Sequence, residues 1–385
     1  MWSVSIVFRQ LWKSQAVNRS RLYSTSTRCG TKFKYKERVD IPAQTTALLA
    51  GRKWLPGALS AGSKYPTYVA SPRDNFPALY TVNSPSTGST PIGDFAKDAR
   101  EIIEGDLHIY GAILFRGLPL QGGDDFSMFV RSMDYSLIGY EGGTAVRHKV
   151  AADVLTASND PPEYSIEPHN EMAYSDHYPM KVFFFCDVAA LPGHGGESVI
   201  TDVREVVKKL DPEVVDKARK LGIRYCRHLP TRTPGGYTSW QEGFFTEDRA
   251  DVEKYMVEHK RAYRWESDGA LTYWYNLPAF VTHPKTGEDV WFNQYHSHHA
   301  TYFKDHPLWA HLDIPDDRYP FHCYYGDGSE VEEEVLQHIR DVLWEVSVGF
   351  QMKRGDLLAL DNIYVQHSRL GFKGKRKLLV SLSMD

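Results

Sequence analysis

The stretch Glu167-Pro-His-Asn-Glu-Met-Ala-Tyr174 places a histidine, His169, two residues before a carboxylate, Glu171. Residues i and i+2 of a strand point to the same side, so these two side chains can reach one ion. A second histidine, His367, follows the apolar segment 357–360 far along the chain. A β-rich fold that brings distant strands together would add His367 to the pair. The spacing therefore predicts a metal site made of two imidazoles and one carboxylate.

The three predicted ligands suit one kind of metal centre. Two imidazoles and one carboxylate on one face of a metal leave the opposite face open, as non-haem Fe(II) needs to bind a cosubstrate and O₂ together. The His-x-Glu triplet alone is a weak signal, because the chain contains 16 histidines. On the triplet alone, a hydrogen-bonded loop histidine is the simpler explanation of His169.

The sequence after His367 contains a candidate anion-binding side chain. Arg376 lies nine residues beyond that histidine, next to the apolar run Leu378-Leu-Val380. A buried guanidinium needs an anionic partner, because an unpaired buried charge is costly. Arginine can grip a carboxylate with two parallel hydrogen bonds. An iron site beside a carboxylate-binding arginine is what a 2-oxoglutarate oxygenase requires, so this segment favours the metal interpretation.

Further motifs extend the pattern along the chain. They are Tyr110-Gly-Ala-Ile-Leu-Phe-Arg-Gly117, Pro168-His-Asn-Glu-Met172, Gly195-Gly-Glu-Ser198 followed by Thr201-Asp202, Lys353-Arg-Gly-Asp-Leu-Leu-Ala-Leu-Asp-Asn362, and His367-Ser-Arg369 with Phe372, Gly374 and Arg376. In this order they resemble the motifs of the TauD/TfdA-type (clavaminate-synthase-like) Fe(II)/2-oxoglutarate dioxygenases. The resemblance covers roughly residues 85–385, and the motifs are specific together rather than singly.

The resemblance implies both a fold and a reaction. The fold is α+β, a double-stranded β-helix (a distorted jelly-roll or cupin-like barrel) with flanking helices. His169, Glu171 and His367 would hold Fe(II) and form the catalytic centre. The reaction consumes 2-oxoglutarate and O₂, releases succinate and CO₂, and by default hydroxylates an unactivated C–H bond. Desaturation and ring closure remain open.

The resemblance also implies residues for the cosubstrate. Arg376, assisted by Ser198, would bind the distal carboxylate of 2-oxoglutarate. Arg369 points to the same side as His367 if the strand continues. Arg369 then either reaches the cosubstrate or substrate, or pairs with Asp361.

Two departures from the family pattern concern the substrate. Glu171 stands where many members carry aspartate, and this resembles the branch that contains clavaminate synthase and several free-amino-acid hydroxylases. An amino-acid-like small molecule is therefore the expected substrate. Val380 occupies the position where some members carry a second arginine for an acidic substrate group, so a sulfonate-type substrate is less supported. The alternatives are an oxygenase of protein side chains and a non-enzymatic metal-binding scaffold of the same fold.

Composition limits the other classes of function. A hydrophobic content of 42% and a charged content of 24% are ordinary for a soluble globular enzyme of 385 residues. The net charge of −4 provides no basic field for nucleic acid. No apolar stretch reaches about 18 residues, the length of a membrane helix. The expected partner is thus a small molecule, with no nucleic acid and no membrane, and a homo-oligomer remains open.

The N-terminal segment is basic and has no acidic residue before Glu37. Residues 1–36 contain eight lysines and arginines together with frequent serine and threonine. This composition is typical of a mitochondrial transit peptide, and Arg21-Leu-Tyr23 resembles a processing site. We predict that residues 1–23 address the protein to the mitochondrial matrix and that the basic, disordered region extends to about residue 36. A basic disordered arm and a plastid address are the alternatives.

Two remaining segments carry weaker signals. Residues 37–84 are predicted to form an N-terminal arm or small subdomain, or else extra strands on the main sheet; residues 85–385 form the oxygenase domain. The cluster His296-Ser-His298-His299 lacks a carboxylate at ligand spacing, so a helix start or turn is favoured over a metal site or pocket lining. Asn293 and Gln294, just before it, are candidates for hydrogen bonds to the substrate.

Overall fold

The computed structural model describes residues 32–36, 69–83, 90–140, 147–158, 160–162, 164–233, 238–306 and 309–385. Residues 33–385 belong to one compact unit. The predicted transit peptide lies outside the described residues, as does most of the predicted arm. Within the described part, none of the helices has the length and apolar character needed to cross a membrane.

The elements alternate between strands and helices. The strands are β1 (Phe33–Lys36), β2 (Ala78–Val82), β3 (Ala112–Arg116), β4 (Leu137–Ile138), β5 (Lys149–Ala151), β6 (Val154–Thr156), β7 (Ile166–His169), β8 (Lys181–Val188), β9 (Ser198–Asp202), β10 (Ile223–Leu229), β11 (Ala262–Trp265), β12 (Leu271–Leu277), β13 (Phe280–Thr282), β14 (Asp289–Trp291), β15 (Phe321–Tyr325), β16 (Val348–Phe350), β17 (Leu357–Asp361), β18 (Val365–Arg369) and β19 (Lys377–Ser383). The helices are α1 (Ile92–Tyr110), α2 (Gly123–Ser132), α3 (Val203–Lys209), α4 (Pro212–Leu221), α5 (Trp240–Phe244), α6 (Arg249–Glu258), α7 (Ala300–Asp305) and α8 (Glu333–Val346), with a 3₁₀ turn at Asp316–Arg318. The α+β prediction is confirmed.

Two sheets face each other and form the centre of the molecule. The larger has the strand order β1-β2-β3-β17-β8-β19-β6-β5, with β4 paired to β19, and the smaller has the order β16-β9-β18-β7. One apolar cluster joins them, in which Phe184 and Leu358 of the large sheet meet Ile200 and Val365 of the small sheet. The burial of this shared face fixes the small sheet, and the residues it carries, against the large one.

Strand β8 shows why the large sheet is apolar on both faces. Its alternate residues Phe183 and Phe185 pack with Ile102 of α1 and Phe126 of α2, whereas Phe184 points into the cluster between the sheets. A strand covered on both sides needs a continuous apolar run instead of an alternating one. The sequence Lys181-Val-Phe-Phe-Phe-Cys186 meets that need.

A third sheet, with the order β11-β12-β10-β15, lies in the second half of the chain. Tyr225 of β10 and Leu343 of α8 share a cluster with Met172 and Tyr174. Met172 and Tyr174 immediately follow the predicted ligand Glu171 in sequence. This region therefore packs directly behind the segment that carries the predicted metal ligands.

The N-terminal boundaries predicted from sequence need correction. β1 pairs with β2 in antiparallel fashion, and β2 runs parallel to β3, with Ala78 opposite Ile113. Residues 33–36 are therefore a strand, although the basic region predicted as disordered extended to them. Residues 78–82 belong to the main sheet, so the domain that contains the oxygenase motifs begins before residue 85.

Candidate active site

The fold brings the two predicted histidine ligands together on neighbouring strands. β7 and β18 are antiparallel partners in the small sheet, and His169 lies directly opposite His367. Glu171 follows the end of β7. The ligand atoms of these three residues all lie within 4.8 Å of one another, a spacing that fits a single ion. The predicted set is thus assembled in space although 196 residues separate Glu171 from His367.

The backbone fixes the protonation of the first histidine. Nδ1 of His169 lies 2.8 Å from the carbonyl oxygen of Glu167. A carbonyl can only accept, so Nδ1 carries the proton and the lone pair of Nε2 faces the other ligands, as metal binding requires. Burial, together with the adjacent His367, lowers the pKa of His169 to about 4. The imidazole is therefore neutral near pH 7.

The carboxylate ligand is buried against an arginine that sequence reasoning missed. Glu171 is 2% exposed, and Nη2 of Arg147 donates to its two oxygens at 2.9 and 2.8 Å. Burial alone would raise the pKa of Glu171, but Arg147 and His367 outweigh it and hold that pKa well below its usual value. Arg147 begins the chain segment leading into β5, and no periodic pattern or motif singles it out.

Asn362 connects the large sheet to Glu171. This residue follows β17, and its Oδ1 accepts the backbone N–H of Glu171 at 2.7 Å. Its Nδ2 donates to the carbonyl oxygens of Glu171 at 2.9 Å and of Pro179 at 2.7 Å. A side chain that holds both backbone groups of a ligand residue orients that ligand. The sequence placed Asn362 within a family motif but did not reveal this role.

The predicted cosubstrate residues lie in contact. Arg376 donates from Nη2 to Oγ of Ser198 at 3.2 Å and from Nε to the carbonyl of Gly196 at 2.8 Å. Burial, with Arg369 close by, lowers the pKa of Arg376 to about 10, so the guanidinium stays charged near pH 7. A Cβ at Gly196 would lie 2.7 Å from Cδ of Arg376. Glycine at this turn is what allows the arginine to approach.

Arg369 is held by the chain itself. Its Nη2 donates to the carbonyl oxygens of Pro161 and Tyr164 at 2.9 and 2.8 Å. The pairing with Asp361 that the sequence left open is not formed, because Asp361 accepts from His283 at 2.9 Å. Arg369 lies in the wall of the cavity described below and fixes the loop opposite. Its contact with the cosubstrate remains a prediction.

A cavity of about 530 Å³ joins the predicted metal ligands to the predicted cosubstrate residues. Its size is that of small-molecule sites, and its wall includes Arg147, Tyr174 and Tyr302. Gln294 also lines it, but Nε2 of Gln294 donates to the carbonyl of Asn170 at 2.8 Å. Asn293 donates to the carbonyl of Ala279 at 3.0 Å. Both amides predicted to contact the substrate are therefore engaged by the backbone.

The histidine cluster after Gln294 divides into different roles. His298 stacks on Tyr174 in the cavity wall, with ring centroids 5.0 Å apart. His299 caps α7 by accepting the N–H of Thr301 on Nδ1 at 3.2 Å, so the predicted helix start is confirmed. The fold also brings His299 close to His322 and Glu330, which have ligand atoms within 4.8 Å of one another.

This second His-His-Glu group has the wrong tautomers for a metal. Nδ1 of His299 accepts from Thr301, and Nδ1 of His322 accepts the N–H of Ala300 at 3.2 Å. In the neutral rings the protons therefore lie on Nε2, which leaves no lone pair there for an ion. Spatial proximity alone does not make a metal site in this group.

Comparison with known proteins gives a consistent result. The TauD, TfdA family model, described as taurine catabolism dioxygenase, matches residues 81–382. The dapdiamide synthesis protein DdaC of Enterobacter agglomerans is 35% identical over 299 residues, covering 77% of this chain and 88% of that protein. The clavaminate synthase-like protein At3g21360 of Arabidopsis thaliana is 32% identical over 325 residues, covering 80% and 93%.

A solved asparagine oxygenase in complex with Fe(II), a hydroxyasparagine and succinate superposes with a TM-score of 0.46 at 14% identity, covering 78% of this chain and 87% of that chain. The family model spans most of the chain, and both sequence relatives exceed 30% identity over more than three quarters of it. The chain therefore belongs to the TauD/TfdA dioxygenase family and is an Fe(II)- and 2-oxoglutarate-dependent oxygenase.

Proposed function

We propose that this oxygenase hydroxylates a small, polar, amino-acid-like metabolite, with His169, Glu171 and His367 as the ligands of Fe(II). The observation that carries the metal assignment is the convergence of three ligand atoms within 4.8 Å, with Nε2 of His169 left unprotonated by the bond from Nδ1 to Glu167. Two imidazoles and one carboxylate fit an iron centre that keeps positions open for other ligands.

We propose further that Arg376 and Ser198 bind the distal carboxylate of 2-oxoglutarate. Arg376 is partly buried in the cavity wall, and its observed hydrogen bonds go to Ser198 and to a backbone carbonyl. In the described part of the chain it forms no ion pair, so a carboxylate from outside can supply the missing charge. When bound, Fe(II), 2-oxoglutarate and O₂ supply the oxidising power for C–H hydroxylation, with release of succinate and CO₂.

The residues around the ligands hold the reacting groups in position. Asn362 fixes the backbone of Glu171 from the large sheet, and Phe184 packs against the ring of His367 with centroids 4.9 Å apart. Arg369 donates hydrogen bonds to the backbone carbonyl oxygens of Pro161 and Tyr164 and so holds these residues in place. The cavity has the size of a small-molecule site.

The finer fold and the location are also proposals. The two facing sheets, with strands β17-β8-β19 opposite β16-β9-β18-β7, support a double-stranded β-helix, the distorted jelly roll predicted from the sequence. The eight basic residues and absent acidic residues before Glu37 support a mitochondrial matrix location. Import of the full chain into isolated mitochondria, followed by N-terminal sequencing of the matrix form, tests the address and the site at Tyr23.

An anaerobic titration with Fe(II) and 2-oxoglutarate tests the cofactor assignment. The full chain should develop the weak visible metal-to-ligand charge-transfer band, which His367→Ala should abolish. Arg376→Ala should keep the band but need roughly 10- to 100-fold more 2-oxoglutarate, because a charge-assisted bond is lost. His311→Ala, which alters an exposed histidine, is the matched control and should behave as the wild type.

The outcome of the titration directs the next step. A folded, iron-loaded wild type without the band would overturn the assignment of both cofactor sites. With the band present, O₂ uptake in the presence of free amino acids and their derivatives tests the substrate class. Uptake stimulated only by intact proteins, and by none of these metabolites, would contradict the proposed substrate and favour protein side chains.

A further inference from the structure

The cavity wall contains a second buried guanidinium besides Arg376. The side chain of Arg147 is 5% exposed and lies over the ring of Tyr140, 4.1 Å from its centroid. Its Nη2 donates to both oxygens of Glu171. Within the described part of the chain, Nε and Nη1 are buried and have no hydrogen-bond partner.

Two unpaired donors on one buried cation are costly, because each has lost its water without gaining an acceptor. The contact with Glu171 compensates the charge of Arg147 as long as Glu171 holds no metal. When Glu171 serves as a metal ligand, its negative charge is shared with the ion and attracts Arg147 less strongly. Arg147 then lacks a full counter-charge inside a cavity that is open to small molecules.

The partners of the two arginines separate their roles. Arg376 bonds to Ser198 and Gly196 and is assigned to the cosubstrate carboxylate, whereas Arg147 bonds to Glu171 on the metal side. Val380 occupies the position where some members of the family carry a second arginine. It is buried in the core and offers no cation. Arg147 comes from the segment before β5, so an acidic group would be recognised by a different part of the fold.

We propose that Arg147 binds a carboxylate of the substrate, with one of its unpaired nitrogens as the donor, and so holds the substrate beside the metal. The substrate is then an organic acid, as a free amino acid is, and not a molecule whose polar groups are all uncharged. This inference rests on the proposed function and makes its substrate class specific. Arg147 would also stabilise the charge of Glu171, so that one guanidinium joins the substrate to a metal ligand.

Acetate is a suitable probe because it presents a carboxylate without requiring the substrate to be known. The full chain is loaded with Mn(II), which supports no turnover here and relaxes nearby protons, and with saturating 2-oxoglutarate to occupy Arg376. The longitudinal relaxation of the acetate methyl protons is measured against that of acetamide, the uncharged counterpart. Chloride and ionic strength are kept constant.

The expected result is a saturable response to acetate and a much smaller one to acetamide. Arg147→Gln and Arg147→Lys should each weaken acetate binding, by roughly 10- to 100-fold for the glutamine variant. Arg232→Gln should leave it unchanged, because that arginine belongs to an exposed ion pair with Glu247. Water-proton relaxation confirms that each variant binds Mn(II). If Arg147→Gln prevents Mn(II) binding, the acetate affinity of Arg147→Lys tests the proposal instead.

Two results would overturn the proposal, and they differ from failure of the proposed function. Equal responses to acetate and acetamide, or unchanged acetate affinity in a Mn(II)-loaded Arg147 variant, would refute the carboxylate site while leaving the metal site intact. A folded wild type that binds neither Mn(II) nor 2-oxoglutarate would refute the proposed function, and this inference with it.

Discussion

Two His-His-Glu groups lie in the part of the chain that the structure describes, and of these two, one is arranged for a metal. His169, Glu171 and His367 meet at the edge of the small sheet, whereas His299, His322 and Glu330 meet beside α7. The carboxylate of Glu171 is 2% exposed and held by Arg147, while that of Glu330 is 72% exposed. The residue types are alike and the ligand atoms of each group lie within 4.8 Å of one another, so the difference lies in the surroundings of each group.

The direction of one hydrogen bond separates the two groups. Nδ1 of His169 donates to a carbonyl and leaves Nε2 free to bind, whereas Nδ1 of His299 and of His322 each accept a backbone N–H and leave the proton on Nε2. The backbone therefore selects the tautomer before any ion arrives. Candidate metal sites can therefore be judged by the hydrogen-bond partner of the second nitrogen of each imidazole, as well as by the distances between the ligand atoms.

The same substitution in both groups gives the largest expected contrast. Asparagine at position 169 or 299 can keep the backbone hydrogen bond made by Nδ1 while removing Nε2. His169→Asn should lose bound iron and all 2-oxoglutarate turnover, and His299→Asn should retain one iron per chain. Iron content after desalting, with the charge-transfer band, measures both. Loss of iron in His299→Asn would contradict the distinction between the groups.

Substitutions at two glycines test the proposed cosubstrate pocket, which lies near His169, Glu171 and His367 and has no counterpart described beside the second group. Gly196→Ala should raise the 2-oxoglutarate requirement roughly 10- to 100-fold, because the added Cβ meets Arg376 at 2.7 Å and overpacking is costly. Gly193 has a similar φ, +76° against +77°, but nothing lies within 4 Å of the position that a Cβ would occupy there. Gly193→Ala therefore controls for backbone strain, and equal effects would contradict a specific contact with Arg376.

The support behind Glu171 predicts a further difference. Asn362→Ala removes the side chain that holds both backbone groups of this ligand, and metal affinity should fall roughly 10- to 100-fold. Asn293→Ala is the matched control, because Asn293 is equally buried but bonds Ala279. Competition for Fe(II) or Co(II) with a chelator gives the two affinities. An unchanged metal affinity in Asn362→Ala would show that these hydrogen bonds to the backbone of Glu171 do not contribute to metal binding.

The smallest expected effect is a pH dependence that belongs to the second group. Burial lowers the pKa of His322 to about 4. Between that value and the ordinary value near 6.5, the unfolded chain binds more protons, so the free energy of unfolding falls as the pH falls. The slope is up to about 1.4 kcal/mol per pH unit for this residue. His322→Asn should reduce the slope of denaturant-unfolding free energy between pH 7 and 5, and an unaltered slope would contradict the assignment.

The sequence was sufficient to predict which residues the fold brings together, and insufficient to predict the side chains that support them. His169, Glu171, His367, Arg376 and Ser198 were predicted because each lies in a short motif, and the fold places them in one cavity. The α+β class followed from apolar runs of strand length. These signals are local, so they can be read without knowing which segments meet.

What the sequence did not reveal depends on contacts between distant segments. Arg147 reaches Glu171 across 24 residues, and Asn362 reaches it across 191; neither contact has a periodic signal. The second group was missed for the same reason, since His322 and Glu330 come from a separate region. The strand at 33–36 was not predicted, and strands on the main sheet were only one of the alternatives for residues 37–84, because the pairing joins segments on either side of a long intervening stretch.

The site also connects the two central sheets. Asn362, at the end of β17 in the large sheet, holds Glu171, and Arg376, just before β19, bonds to Ser198 at the start of β9 in the small sheet. Ligands bound between these groups favour the folded form by linkage, about 2.7 kcal/mol for a hundredfold excess over the dissociation constant. Iron and 2-oxoglutarate supply would thus govern the resistance of the chain to proteolysis, and with it the lifetime of the protein, in addition to its turnover.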